Sequence, residues 1–236
     1  MGTSRLAVAL DVQDRDDAVA AAALLRGHVD IVKVGLELFI SAGPGLVREL
    51  ADDGWAVFLD LKLHDIPATV AGAVRSAASL GVEFMTLHTG GGAKMMEAAA
   101  AARGDAGFPR LLGVTVLTSL DDAQLEQVGM PGGAQRGVMR LAELARASGC
   151  DGVVSSPHEV AAIKASCGAE FLAVSPGIRP AGAALNDQAR IATPADAVRA
   201  GADVLVVGRP IMNAPDPAAA ADAIRDEMEG VDDSES

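Results

Sequence analysis

Short runs of Val, Ile and Leu recur along the chain, and each is followed by a longer, amphipathic, Ala-rich segment. The β-branched runs predict strands over residues 5–11, 30–35, 56–61, 84–88, 111–117, 152–155, 171–175 and 204–208. The segments between them predict helices, among them 14–25, 67–80, 93–102, 136–147 and 217–229. Strands that alternate with helices at this spacing imply βαβ units and a parallel sheet. Eight such units within 236 residues predict a (β/α)8 TIM barrel, one α/β domain over residues 1–229. A doubly wound open sheet ranks second, because no G-x-G-x-x-G follows the first strand.

Two stretches fit neither period. Residues 128–133 carry Gly-Met-Pro-Gly-Gly, and residues 176–192 are rich in Pro and Gly. Both are expected to follow a strand on the face where barrel active sites form, and the longer one reads as a lid. Residues 230–236 are acidic and read as a disordered tail.

Composition narrows the picture. Half of the residues are hydrophobic but only 3% are aromatic, with one Trp and no Tyr, so the core must be aliphatic. No apolar run reaches the ~18 residues of a membrane span, and the first residues lead directly into a strand rather than a signal peptide. A soluble, cytoplasmic protein is expected. The formal charge of −13, from 32 acidic and 19 basic residues, argues against a nucleic-acid partner. A local basic cluster could still take an anionic small ligand. Cys150 and Cys167 show no metal or redox spacing and read as reduced, buried residues. Lys is rare: Lys33, Lys62, Lys94 and Lys164 are all there are, so a Lys inside an apolar strand carries information.

The segment Phe58-Leu59-Asp60-Leu61-Lys62-Leu63-His64-Asp65-Ile66-Pro67 is the most informative. Side chains at i and i+2 of a strand share a face, so Asp60 and Lys62 stand side by side, and in a barrel that face is the interior. Unpaired charges there cost several kcal/mol each, a cost seldom borne for stability alone. Lys33 sits among β-branched residues in a second strand, and Asp11 ends the first. Three neighbouring strands thus bring Asp11, Lys33, Asp60 and Lys62 to one rim. Near the end of the chain, Val207-Gly208-Arg209-Pro210 offers a close backbone approach and a planar guanidinium for a phosphate. Pro176-Gly177-Ile178-Arg179-Pro180 offers a second Arg, followed by Gln188.

With these residues in view, the chain resembles the orotidine 5′-monophosphate decarboxylase family. Asp60-Leu61-Lys62-Leu63-His64-Asp65-Ile66-Pro67 is similar to its signature. The likeness runs from Ala9-Leu10-Asp11 through Val32-Lys33-Val34-Gly35, Leu87-His88-Thr89-Gly90-Gly91-Gly92, Thr115-Val116-Leu117-Thr118-Ser119 and Pro176-Gly177-Ile178-Arg179 to Val207-Gly208-Arg209-Pro210-Ile211. Asp-x-Lys-x-x-Asp alone is shared with related sugar-phosphate enzymes. Joined to Lys33 and the terminal Gly-Arg, it becomes specific.

The resemblance implies a cofactor-free decarboxylation of orotidine 5′-monophosphate to UMP. It implies that Arg209, the Gly208 N–H, Arg179 and Gln188 hold the phosphate, and that Asp11 and Lys33 meet the ribose. Thr118 would lie beside the pyrimidine, Asp60 next to the scissile carboxylate, and Lys62 would donate the proton. Asp65, Ile66 and Thr69 would reach into the site of a second copy, giving a homodimer with shared active sites. His64 and His88 read as hydrogen-bonded supports of the rim. No metal site is expected. Two other readings remain. One is a metal-dependent decarboxylase or aldolase of keto-sugar phosphates on the same barrel, which would want an acidic residue where Lys33 stands. The other is a non-catalytic nucleotide-binding protein, which would not need both Lys33 and Lys62.

Overall fold

The computed structural model describes residues 4–104, 107–180 and 192–231. Eight parallel strands close into a barrel in sequence order, β1 next to β2 and so on round to β8 beside β1. The strands are β1 (Arg5–Ala9), β2 (Ile31–Gly35), β3 (Ala56–Leu63), β4 (Phe84–His88), β5 (Arg110–Val114), β6 (Gly152–Val154), β7 (Leu172–Ser175) and β8 (Val204–Val207). The helices that wrap them are α1 (Arg15–Leu24), α2 (Leu36–Asp52), α3 (Pro67–Ala78), α4 (Ala93–Ala102), α5 (Asp122–Gln127), α6 (Gly133–Ala147), α7 (Pro157–Cys167), α8 (Pro194–Arg199), α9 (Arg209–Met212) and α10 (Pro217–Glu229). The expected (β/α)8 architecture is therefore present. No helix among the described residues is long and apolar enough to cross a membrane.

Strand parity divides the core in two. Ala7, Ala9, Ile31, Phe58, Phe84, Leu112, Val174, Val204 and Val206 fill the barrel interior. The alternate residues, such as Leu6, Val8, Val32, Val34, Val57 and Leu59, face the helices. Phe58 and Phe84 join the aliphatic residues of the interior as an edge-to-face pair with ring centres 6.0 Å apart. Arg5 spans Glu83 with two hydrogen bonds, of 2.6 and 3.1 Å, at the N-terminal ends of β1 and β4. The same parity that puts Ile31 and Phe58 inside puts Lys33 and Asp60 one step nearer the C-terminal rim.

Side-chain caps mark several of the helix starts. Asp14 accepts from the Asp17 N–H before α1, Asp121 and Gln124 form a reciprocal capping box before α5, and Asp216 accepts from the Ala219 N–H before α10. Several boundaries differ from the sequence reading. β1 stops at Ala9 because the chain turns there, the Asp11 N–H donating to the Ala9 carbonyl. β5 stops at Val114 rather than 117, and β8 at Val207 rather than 208. Helix α6 starts at Gly133 rather than 136, since the Asp122 carboxylate accepts from the Ala134 N–H and caps it despite two glycines. Residues 128–133 were expected directly after a strand; they join α5 to α6 instead. The alternation of β-branched runs did not reveal the short α5. Of the expected lid, residues 176–180 and 192 are described. Ile178 bridges Ala192, with the Arg179 N–H 3.0 Å from the Ala192 carbonyl, so the stem is closed. Residues 181–191 and the expected tail beyond Val231 lie outside the described residues.

Candidate active site

A cavity of about 280 Å³ opens at the C-terminal ends of the strands. Its charged lining is Asp11, Lys33, Asp60, Lys62, Arg179 and Arg209. Phe58, Val114, Val154 and Val206 form its apolar floor, and Thr118, Ser155 and Gly208 complete the wall. Ser155 is almost fully buried, and its Oγ has no hydrogen-bond partner among the described residues. A polar orphan in a cavity wall is a group that a polar ligand can satisfy.

Asp60 is the hub. Lys62 Nζ lies 2.8 Å from its Oδ2 and Lys33 Nζ 3.5 Å from the same oxygen. Lys33 Nζ also lies 3.9 Å from Asp11 Oδ1. Four residues from two strands, β2 and β3, and from the end of a third, β1, thus alternate in charge. Gly35 leaves room for the Lys33 ammonium, which would stand 3.3 Å from a Cβ at that position. Burial alone would raise the Asp60 pKa, but the Lys33 and Lys62 charges, with hydrogen bonds from Lys62 and Thr86, outweigh it and hold the carboxyl below its usual value. The site therefore keeps an ionised carboxylate where solvent is nearly excluded.

The rim histidines lie side by side with their ring planes tilted by 36°. The His64 and His88 rings are 5.5 Å apart. Burial, then the His64 and Lys62 charges, push the His88 pKa down, against a smaller opposing effect of Asp60. His88 is thus favoured neutral beside the cationic side of the array. Gly208 sits where a Cβ would lie 2.9 Å from Asp11 Oδ2, so a side chain there would have to displace the Asp11 carboxylate. Arg209 begins α9 directly after it. Arg179 is buried, and its Nη1 donates to the Ile178 carbonyl at 3.3 Å.

The cavity thus brings together Asp11, Lys33, Asp60, Lys62, Thr118, Arg179, Gly208 and Arg209. It does not include Asp65, Ile66 or Thr69. These follow β3 on the exposed rim, where Asp65 Oδ1 accepts from the Ile66 N–H at 2.6 Å and the Thr69 N–H donates to the Ile66 carbonyl. Gln188 lies outside the described residues. The sequence does not single out Thr86 or Ser155: each reads as a small polar residue beside an apolar run, and nothing local distinguishes it.

The chain is similar to known proteins over nearly its whole length. The family model described as orotidine 5′-phosphate decarboxylase / HUMPS matches residues 4–224. The chain is 58% identical over 228 residues to the orotidine 5′-phosphate decarboxylase of Halorhodospira halophila, covering 96% of this chain and 97% of that one. It is 56% identical over 222 residues to that of an Anaeromyxobacter species, covering 94% and 97%. Among solved structures, orotidine 5′-phosphate decarboxylase from Lactobacillus acidophilus superposes with a TM-score of 0.84 at 39% identity, covering 95% of this chain and 99% of that one.

Proposed function

The chain belongs to the orotidine 5′-phosphate decarboxylase / HUMPS family, and from that premise we propose that it converts orotidine 5′-monophosphate to UMP and CO2 in de novo pyrimidine synthesis. The observation that carries this reading is the alternating array at the cavity mouth, with Asp60 2.8 Å from Lys62 and 3.5 Å from Lys33. Two ammonium groups gathered on one nearly buried carboxylate suit a reaction in which negative charge must be met by side chains.

The chemistry needs such a site. Breaking the bond from the ring carbon to its carboxylate leaves the electron pair in the plane of the pyrimidine, where the π-system cannot absorb it. Charge must then be stabilised electrostatically and quenched by a proton. In this reading the substrate carboxylate lies against Asp60, whose repulsion is relieved as neutral CO2 departs. The Lys62 ammonium gives its proton to the ring carbon and regains one from solvent. Lys33 and Asp11 meet the ribose hydroxyls, and Thr118 flanks the ring. Arg209, the Gly208 N–H, Arg179 and Gln188 take the phosphate, whose binding energy can lower the barrier at the distant carbon. No cofactor is assigned, since the side chains supply both functions. A cytoplasmic location goes with the reading.

The proposed assembly is a homodimer in which Asp65, Ile66 and Thr69 complete the partner's site. Its support is apolar exposure on the same rim. Ile66 is 66% exposed, Ile40 79% and Leu36 50%. Solvent-facing aliphatics beside a charged mouth suit an isologous interface.

The test is spectroscopic. Orotidine 5′-monophosphate and UMP differ in ultraviolet absorbance, so the purified protein should give a continuous absorbance change and release CO2. Lys62→Ala should abolish turnover and still bind UMP by calorimetry. Undiminished turnover in that variant would remove Lys62 as the proton donor, and an inert wild type would remove the reading.

A further inference from the structure

We infer that Thr86 is a positioning residue for the charge array: its one hydroxyl fixes both the Lys62 backbone and the Asp60 carboxylate. The inference rests on the decarboxylase reading above and adds a residue that neither the family signature nor the cavity lining includes.

Thr86 is fully buried in the middle of β4, on the same face as Phe84. Its Oγ1 accepts from the Lys62 N–H at 2.9 Å and donates to Asp60 Oδ1 at 2.9 Å. A hydroxyl has one proton to give, and an ionised carboxylate can only accept, so both bonds have a determined direction. The proton goes to Asp60, and a lone pair faces the Lys62 N–H.

This bond replaces one that the sheet has lost. β3 and β4 pair regularly at Phe58 with Phe84 and at Leu59 with Met85, and the register then shifts before Leu63 meets Leu87. Within that bulge Lys62 adopts φ 50°, the one positive φ outside glycine among the described residues. A Lys in left-handed backbone is held there by its surroundings, and such sites mark places where a side chain has been re-aimed. The Thr86 side chain gives the displaced Lys62 N–H its partner. It also leaves Asp60 Oδ2 to the two ammonium groups by occupying Oδ1. A hydrophobic residue of the same shape would do neither.

The charged and titratable groups facing Asp60 are Lys33 from β2 and Lys62 from its own strand, with Asp11 after β1 and His88 of β4 further out.

The experiment compares Thr86→Val, which keeps shape and loses the hydroxyl, with Thr86→Ser, which keeps the hydroxyl. Both are assayed for orotidine 5′-monophosphate turnover across pH. Thr86→Val should lower kcat by about 10- to 100-fold, the range for losing a charge-assisted hydrogen bond and leaving an N–H unpaired. KM should change less than kcat, because the phosphate contacts are remote. The acid limb of the kcat profile should move to higher pH, since Asp60 loses a bond to its ionised form, and Thr86→Ser should recover most of the rate. Near-normal kcat in Thr86→Val overturns the inference. So does equal loss in both variants, or a loss confined to thermal stability with an unmoved pH profile. If Thr86→Val does not fold, Thr86→Ala is read in the same way. If the wild type is inert, the functional reading fails on its own. Thr86 is then judged by carbon-13 titration of the Asp60 carboxyl, which should rise in Thr86→Val and would refute the inference by staying put.

Discussion

Asp60 is 9% exposed, so its ionised form is bought against desolvation. The two ammonium groups and the Thr86 hydroxyl reverse the sign, and its folded pKa lies below the ordinary aspartate value of 3.8. For a depressed carboxyl, the stabilisation is complete above the unfolded pKa and fades as pH falls through the folded one. Asp60→Asn lacks that contribution. The stability gap between wild type and Asp60→Asn, read from urea midpoints, should therefore stay constant from pH 7 to about 4 and narrow below that. A gap that already changes above pH 5 would mean that burial, and not the lysines, sets this carboxyl.

At the scale of elements, the strands differ in what they tolerate. β6 is three residues long and lies tightly against β7. A Cβ at Gly152 would stand 2.5 Å from Leu172 Cβ and press on the Leu172 carbonyl. Backbone cannot retreat as a side chain can, so Gly152→Ala should destabilise the protein by about 3 kcal/mol in urea unfolding. Gly45 in α2, where a Cβ would meet open space, is the control and should accept Ala without loss. Equal effects at the two positions would show that the β6–β7 contact can relax. β3 has the opposite character: its C-terminal end gives up regular pairing, and the bulge that results aims Lys62 at Asp60. The short strand preserves the barrel and the irregular one shapes the site.

The whole molecule carries a formal charge of −13, yet Lys33, Lys62, Arg179 and Arg209 gather around one cavity. That contrast suits a small anionic ligand in an acidic protein. Asp65 stands apart from the array on its own chain, and the proposed dimer would supply it from the neighbour. Mixing tests this directly. Lys62→Ala and Asp65→Ala should each be inactive alone. A co-refolded equimolar mixture should regain about a quarter of wild-type activity, because half of the dimers are mixed and each has one intact site. A mixture as inactive as its components would place Asp65 outside the neighbour's site.

Much of this is legible in the sequence alone. Alternating β-branched and amphipathic runs determine the barrel, because parallel strands buried on both faces need apolar runs and helical crossovers. Period-two alternation likewise determines that Phe58 and Asp60, and Ile31 and Lys33, share the inner face. Other features depend on contacts between residues far apart in the chain, which local pattern does not encode. Thr86 meets Asp60 across 26 residues. The bulge at Lys62 exists only against β4, and the orphan hydroxyl of Ser155 only against the cavity. α5 escaped notice because six residues are too few to establish a period. The sequence by itself determined the eight strands, their order and the inner face of Lys33 and Asp60. Only the tertiary structure decided which charges touch and what holds them, since hydrogen bonds and ion pairs depend on distances of a few tenths of an ångström that closing the barrel alone sets.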